Sequence, residues 1–193
     1  MNELTQEKAR VVNADVEPRF KVGDAVVHPI RGAGRVVGFK EFETQGTPKQ
    51  YYEIKLLKQT DTSLMIPVGE AEEVGMRRAL SPADLDRVWA VLQETPQELP
   101  SNYRSRHKII NDKLQTGDVF QIAEAVRDAG WRHRTEDGLT QKGRDLYKRG
   151  LRLLAAEIAV SKGISLSKAQ RELKARLQEC FKEISTSTSE ESS

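Results

Sequence analysis

The chain has little of what most redox, metal and covalent chemistry uses: one cysteine, Cys180, and three histidines, His28, His107 and His133, in 193 residues. A lone cysteine cannot close an internal disulfide, and on a helix with apolar spacing it reads as a small packing residue rather than a nucleophile. A chain built this way suits a reducing, cytoplasmic setting. None of the histidines stands in a Cys/His or His-Glu-x-x-His context, so no metal site is expected. Long apolar runs are also missing. No stretch approaches the roughly 18 residues that a bilayer-spanning helix requires, and Met1 to Pro18 is polar with both signs of charge, unlike a signal peptide or anchor. With 37% hydrophobic and 31% charged residues the chain can build two small domains with modest cores. The net charge of +2 is near neutral, so a nucleic-acid partner can be argued only from local concentrations of Lys and Arg.

Catalytic motifs fail where their chemistry is specified. Gly138-Leu139-Thr140-Gln141-Lys142-Gly143-Arg144-Asp145 approaches a phosphate-binding loop, but Arg144 stands in place of its Lys, Asp145 in place of its Ser or Thr, and no strand precedes it. There is no Gly-x-Ser-x-Gly elbow. Paired acids such as Glu72-Glu73 read as solvated surface. No catalytic residue, cofactor or metal ligand is assigned.

What is present is a change of period part-way along the chain. Alternating or apolar runs at Ala25–Val27, Arg35–Phe42, Tyr51–Leu57 and Leu64–Ile66 predict short strands, with turns at Gly32-Ala33-Gly34 and Gln45-Gly46-Thr47-Pro48. Four or five such strands make a small barrel of the Tudor or SH3-like type. From Leu80 the apolar spacing becomes helical. Ser81-Pro82-Ala83-Asp84 is a helix start, followed by a stripe of Leu85, Val88, Trp89 and Leu92. Tyr103, His107, Ile110 and Leu114 mark the apolar side of the next helix, and Gly117 ends it. A third carries Val119, Ile122, Ala123 and Val126. Thr140 opens a longer one with Leu146, Leu151, Leu154 and Ile158, and Leu166, Ala169, Leu173, Leu177 and Phe181 define the last. The fold class is therefore α+β in two domains: a β-barrel over 19–79 and an all-α bundle of about five helices over 80–184. A leader over 1–18 and a Ser-rich tail over 185–193 are expected to lack structure.

Charge is polarised within the helical half. Ser101–Lys113 has Arg104, Arg106, Lys108 and Lys113 against Asp112, and Arg127–Arg152 has eight basic residues, Arg132 and Arg134 among them, against four acids. Leu80–Pro100 is acidic. Such clusters either neutralise phosphates without reading sequence or form an ordinary solvated face. Tyr103 either stacks on a base or wedges into a minor groove, or else packs on its helix's apolar side. Trp131, expected in an interhelical connection, is read as a lid on the core.

Phe20-Lys21-Val22-Gly23-Asp24 with Val27-His28-Pro29, Met65-Ile66-Pro67 with Val74-Gly75-Met76-Arg77, and Lys113-Leu114-Gln115-Thr116-Gly117-Asp118-Val119 leading to Ala123-Glu124-Ala125-Val126-Arg127-Asp128 resemble the CarD/CdnL family of bacterial transcription regulators. The family's first domain is shared with the RNA-polymerase-interaction domain of transcription-repair coupling factor, and the resemblance runs from Phe20 to about Ile184. It implies a Tudor-like domain that pairs a strand with the RNA polymerase β subunit, with Ile54, Met65, Ile66 and Pro67 facing the polymerase. It also implies a helical domain that touches promoter DNA at the upstream bubble edge, with Tyr103 where the family usually has Trp, beside Arg104, Arg106 and Lys108. Arg132 and Arg134 join them as basic candidates. Gly143 and Gly150 interrupt a helix, each at a cost of about 1 kcal/mol relative to Ala.

The function implied is a non-enzymatic regulator that docks on the polymerase β subunit and stabilises the open complex through minor-groove and phosphate contacts without sequence specificity. It would act as a cytoplasmic monomer with no membrane partner. An accessory protein of transcription-coupled repair, without promoter-opening activity, is the alternative; a hydrolase or nuclease with an unfamiliar site is a third.

Overall fold

The computed structural model describes residues 17–44, 46–57, 62–135 and 138–190, with side chains up to Thr186. Most of the expected leader and the last three residues of the tail thus lie outside the described residues. The chain divides into two compact units, Met1–Ala79 and Leu80–Ser193.

The first unit is a five-stranded antiparallel sheet of β1 (Ala25–His28), β2 (Gly32–Thr44), β3 (Thr47–Leu56), β4 (Ser63–Pro67) and β5 (Arg77–Arg78), in the order β4-β3-β2-β1-β5. This is the Tudor-like architecture expected. The turns move slightly from where they were expected. Gly32-Ala33-Gly34 belongs to β2 itself, with His28 opposite Gly32, so the connection is Pro29-Ile30-Arg31. The imidazole of His28 makes that turn: its Nδ1 accepts hydrogen bonds from the N–H groups of Ile30 and Arg31 at 3.1 and 3.2 Å. Gly34 is needed for a different reason, because a Cβ there would lie 2.6 Å from the carbonyl oxygen of Lys55 on β3. Likewise Thr47 and Pro48 belong to β3, opposite Thr44 and Glu43 of β2, and residue 45 of the expected hairpin loop lies outside the described residues.

A bulge between Val36 and Gly38 re-aims β2, so that Phe39 lies opposite Tyr52 against the core. Phe20, Val26, Val36, Tyr52, Ile54, Leu56, Ile66 and Met76 fill that core. Tyr52 is wholly buried, its ring 5.6 Å from that of Phe20 and its hydroxyl accepting from the Phe20 N–H. The Phe20–Asp24 motif is held at both ends: Phe20 sits in the core, and Gly23 and Asp24 exchange backbone hydrogen bonds with Val36 of β2.

The second unit is a bundle of α1 (Pro82–Gln93), α2 (Tyr103–Gln115), α3 (Val119–Thr135), α4 (Gln141–Lys162) and α5 (Leu166–Glu190). Ser81 and Asp84 form a reciprocal capping box at the start of α1. Asn102 caps α2 and Thr140 caps α4, the latter accepting from the Gly143 N–H at 3.1 Å. The two glycines of α4 have packing roles. A Cβ on Gly150 would lie 2.6 Å from Val126 of α3, and one on Gly143 would crowd Leu139 and His107. Trp131 is inside α3, not in a connection, because the helix runs on to Thr135; its ring meets Phe181 of α5 edge-on at 5.8 Å. α5 also continues past Ser185, where the tail was expected to begin. The hydroxyls of Ser185 and Thr186 donate back to the carbonyls of Phe181 and Lys182, which lets these polar residues sit in a helix. Among the described residues no helix is long and apolar enough to cross a membrane.

Candidate docking edge and nucleic-acid interface

β4 is an edge strand, paired on one side with β3. Strand alternation divides its side chains. Ile66 turns into the core, while Met65 and Pro67 lie on the other face with their β3 partners Glu53 and Tyr51. The four residues expected to face a protein partner are therefore of two kinds. Ile54 stands in the interior strand β3, between β2 and β4, and is 1% exposed; with Ile66 it is corrected from contact residue to core residue, since both point into the apolar cluster. Met65 and Pro67 remain accessible on an edge whose peptide groups can accept another strand. The same outer face carries Phe42, whose ring meets that of Tyr51 edge-on at 5.3 Å. Phe42 was not singled out from the sequence, where it is in phase with the inward Val36; the bulge between Val36 and Gly38 is what turns it outward.

In the helical unit the start of α2 and the N-terminus of α4 enclose a groove of about 670 Å³ lined by Tyr103, Arg104, His107, Lys108, Asn111, Asp112 and Thr140–Lys142. Tyr103 is 49% exposed at its edge. Its inner side rests on His107, with ring centroids 5.8 Å apart, and its hydroxyl accepts from Nε of Arg104 at 3.2 Å. His107 contacts the Thr140 hydroxyl at 2.8 Å, tying α2 to the cap of α4. Burial, then Lys142 and Arg106, hold its pKa below the usual histidine value, which keeps the ring neutral. Arg104, Lys108 and Lys142 supply positive charge, offset in part by Asp112, which binds Lys108 at 2.8 Å. A half-free aromatic ring between cations suits a stacked base or a minor groove flanked by phosphates. Lys142, which follows directly after the Thr140 cap, contributes a cation that spacing alone did not attach to Tyr103.

Three basic candidates do not join this groove. Arg106 is 5% exposed and donates to the carbonyls of Pro100 and Ser101 at 2.6 and 2.9 Å, so it is corrected to a clamp on the segment before α2. Arg132 and Arg134 lie in the last turn of α3, outside the groove's lining. Nor is Arg127 part of a basic surface. It is 2% exposed and holds Glu94, the Val91 carbonyl and Asp128, each within 2.9 Å.

Residues 20–80 match the model of the CarD-like/TRCF RID domain, and residues 87–174 match that of the CarD C-terminal domain. The chain belongs to the CarD family. It is also similar to YdeB, a candidate transcription factor of Bacillus subtilis (strain 168), with 28% identity over 146 residues that cover 76% of this chain and 94% of YdeB. Membership makes it a transcription regulator of the class that interacts with RNA polymerase, which is not an enzyme class.

The motifs that carry the CarD likeness in the helical half prove to be structural. Thr116, Gly117 and Asp118 build the reversal between α2 and α3: Gly117 takes a positive φ of 71°, and the Asp118 carboxylate accepts from the Phe120 N–H. Arg127 and Asp128 form a buried ion pair at 2.8 Å, completed by the Gln97 N–H on Asp128. Lys113 approaches Asp128 at 3.7 Å and binds Glu124 at 2.8 Å. Cys180 is buried, and burial with nearby Glu183 pushes its thiol pKa up, the opposite of a reactive cysteine.

Proposed function

We propose that this CarD-family chain attaches to the RNA polymerase β subunit through the β4 edge and prolongs the promoter open complex through the Tyr103 groove. The observation that carries the reading is the half-exposed Tyr103 ring beside Arg104, Lys108 and Lys142. Attachment rests on backbone pairing, with Met65 and Pro67 giving selectivity. The groove then meets DNA at the upstream edge of the bubble. Its contacts are a wedge and phosphate-binding cations, so no base sequence is read.

The mechanism is linkage. A protein that binds the open complex more tightly than the closed one shifts the equilibrium by that difference in binding free energy, and nothing needs to be hydrolysed. Tethering to polymerase raises the effective DNA concentration at the groove, so a few weak contacts suffice.

A promoter-opening assay with purified polymerase tests both halves. Met65→Glu should abolish recruitment, since a buried carboxylate at the strand interface lacks a partner. Tyr103→Ala should leave recruitment intact and shorten open-complex lifetime. A role confined to coupled repair predicts normal lifetimes for Tyr103→Ala, and that outcome would remove the promoter-opening half.

A further inference from the structure

We propose that a second cleft of the helical unit, between α3, α4 and α5, binds a nucleoside phosphate, with the base on its apolar floor and the phosphates on its cationic rim. The cleft has a volume of about 400 Å³ and shares no lining residue with the Tyr103 groove. That volume falls within the roughly 300–1,000 Å³ usual for small-molecule sites.

Its floor is made by Tyr147, Leu151, Leu177 and Phe181. The floor exists because residue 130 is glycine: a Cβ there would lie 3.0 Å from both the Phe181 ring and the Tyr147 hydroxyl. The rings therefore settle against the α3 backbone and leave a recess above them. His133 stands at one end, its ring 6.2 Å from that of Tyr147. Burial raises the pKa of Tyr147, so its hydroxyl stays a hydrogen-bond donor.

The rim carries Arg134, Arg144, Lys148 and Lys174, and among the described residues no acid lines the cleft. A smaller recess of about 130 Å³ shares Lys148, Leu151 and Lys174 and adds Arg152, again with no acid among the described residues. Like charges gathered around a concave apolar surface repel one another and focus a positive potential into it, which an anion relieves. Guanidinium forks and lysine ammonium groups are the usual partners of phosphate oxygens.

Size selects among anions. From Arg144 of the cleft to Arg152 of the adjoining smaller recess the cations follow α4 for about 12 Å at roughly 1.5 Å per residue. A mononucleotide with a short phosphate chain spans that distance. An inorganic anion would leave the aromatic floor uncovered. The site is independent of the promoter-opening reading, because none of its residues is assigned there a contact with DNA.

Calorimetric titration of the full chain with ATP, tripolyphosphate and adenosine tests the inference. ATP should bind saturably with one-to-one stoichiometry, and each half-ligand should bind at least about tenfold more weakly, because each forfeits one part of the cleft. Lys148→Glu combined with Lys174→Glu, both exposed, should weaken ATP about a hundredfold while leaving the thermal midpoint unchanged. Tyr103→Ala should bind ATP like the unaltered chain. Equal affinity for ATP and tripolyphosphate, an unchanged affinity in the double variant, or no saturable ATP binding would each overturn the proposal. So would a double variant that loses duplex DNA while retaining ATP, since the cleft would then be a DNA surface.

Discussion

In the sheet unit the buried cluster is apolar apart from the Tyr52 hydroxyl, whereas the helical unit buries Arg106, Arg127, Asp128 and Glu157. The two halves therefore hide information differently. In a sheet the period of two sorts surface from core, so Met65 and Ile66 part company by register alone. In a bundle, a basic residue in a basic segment can be a surface cation or the centre of a buried network, and periodicity does not distinguish the two. Arg127 and Arg106 looked like members of a DNA-facing patch. They hold loops and helices together instead.

The contrast breaks most visibly at Arg127. Arg127→Ala leaves Asp128 as a buried carboxylate short of its partner, so chemical denaturation should show a loss of about 3–5 kcal/mol. A loss of 1 kcal/mol or less would mean that the network is dispensable. On the sheet side, Ile54→Ala should cost about 2–5 kcal/mol through the cavity it opens, while Met65→Glu, opposite Glu53, should cost only about 1 kcal/mol or less and act chiefly on polymerase attachment. A comparison of denaturation with a polymerase pull-down would separate those two effects. If Ile54→Ala were as stable as wild type yet failed to bind, the core assignment would be wrong. Arg104→Ala and Arg106→Ala sharpen the same distinction in the helical unit. The first should reduce the salt slope of DNA binding with little change in stability, and the second should lower stability by about 1–3 kcal/mol.

The smallest effect concerns pH. Burial, then the charge of Arg31, hold the His28 pKa below 6.5, and the neutral ring accepts the two turn hydrogen bonds. The unfolded chain therefore binds this proton more readily than the folded one. The contribution of His28 is full above pH 6.5 and declines as pH falls through the lower folded value. His107 follows the same direction in the helical unit, so the sheet's share is the part of the slope that His28→Asn removes. A denaturation series from neutral to mildly acidic pH reads it, and an identical slope in His28→Asn would leave the turn without this dependence.

Much of the architecture was legible because it rests on local rules. The Ser81 capping box, the Thr140 cap and the inward stripes of α1, α3 and α5 follow from residue type and spacing. Tyr103 was legible only as a choice between packing and contact; the groove shows its ring half on His107 and half in solvent. The glycines of α4 misled, because propensity counts their cost in an isolated helix and not the close approach of Val126 of α3 at Gly150 or of His107 of α2 at Gly143.

By itself the sequence determined the change from strand to helix, the caps and turns that bound each element, and the likeness to one family. Only the tertiary structure decided which cations reach solvent and which side of β4 is free. A hydrogen bond or ion pair between residues more than thirty apart, such as Arg127 to Val91 and Glu94, exists only once the helices have packed, and it is packing that turns a charge from surface to interior.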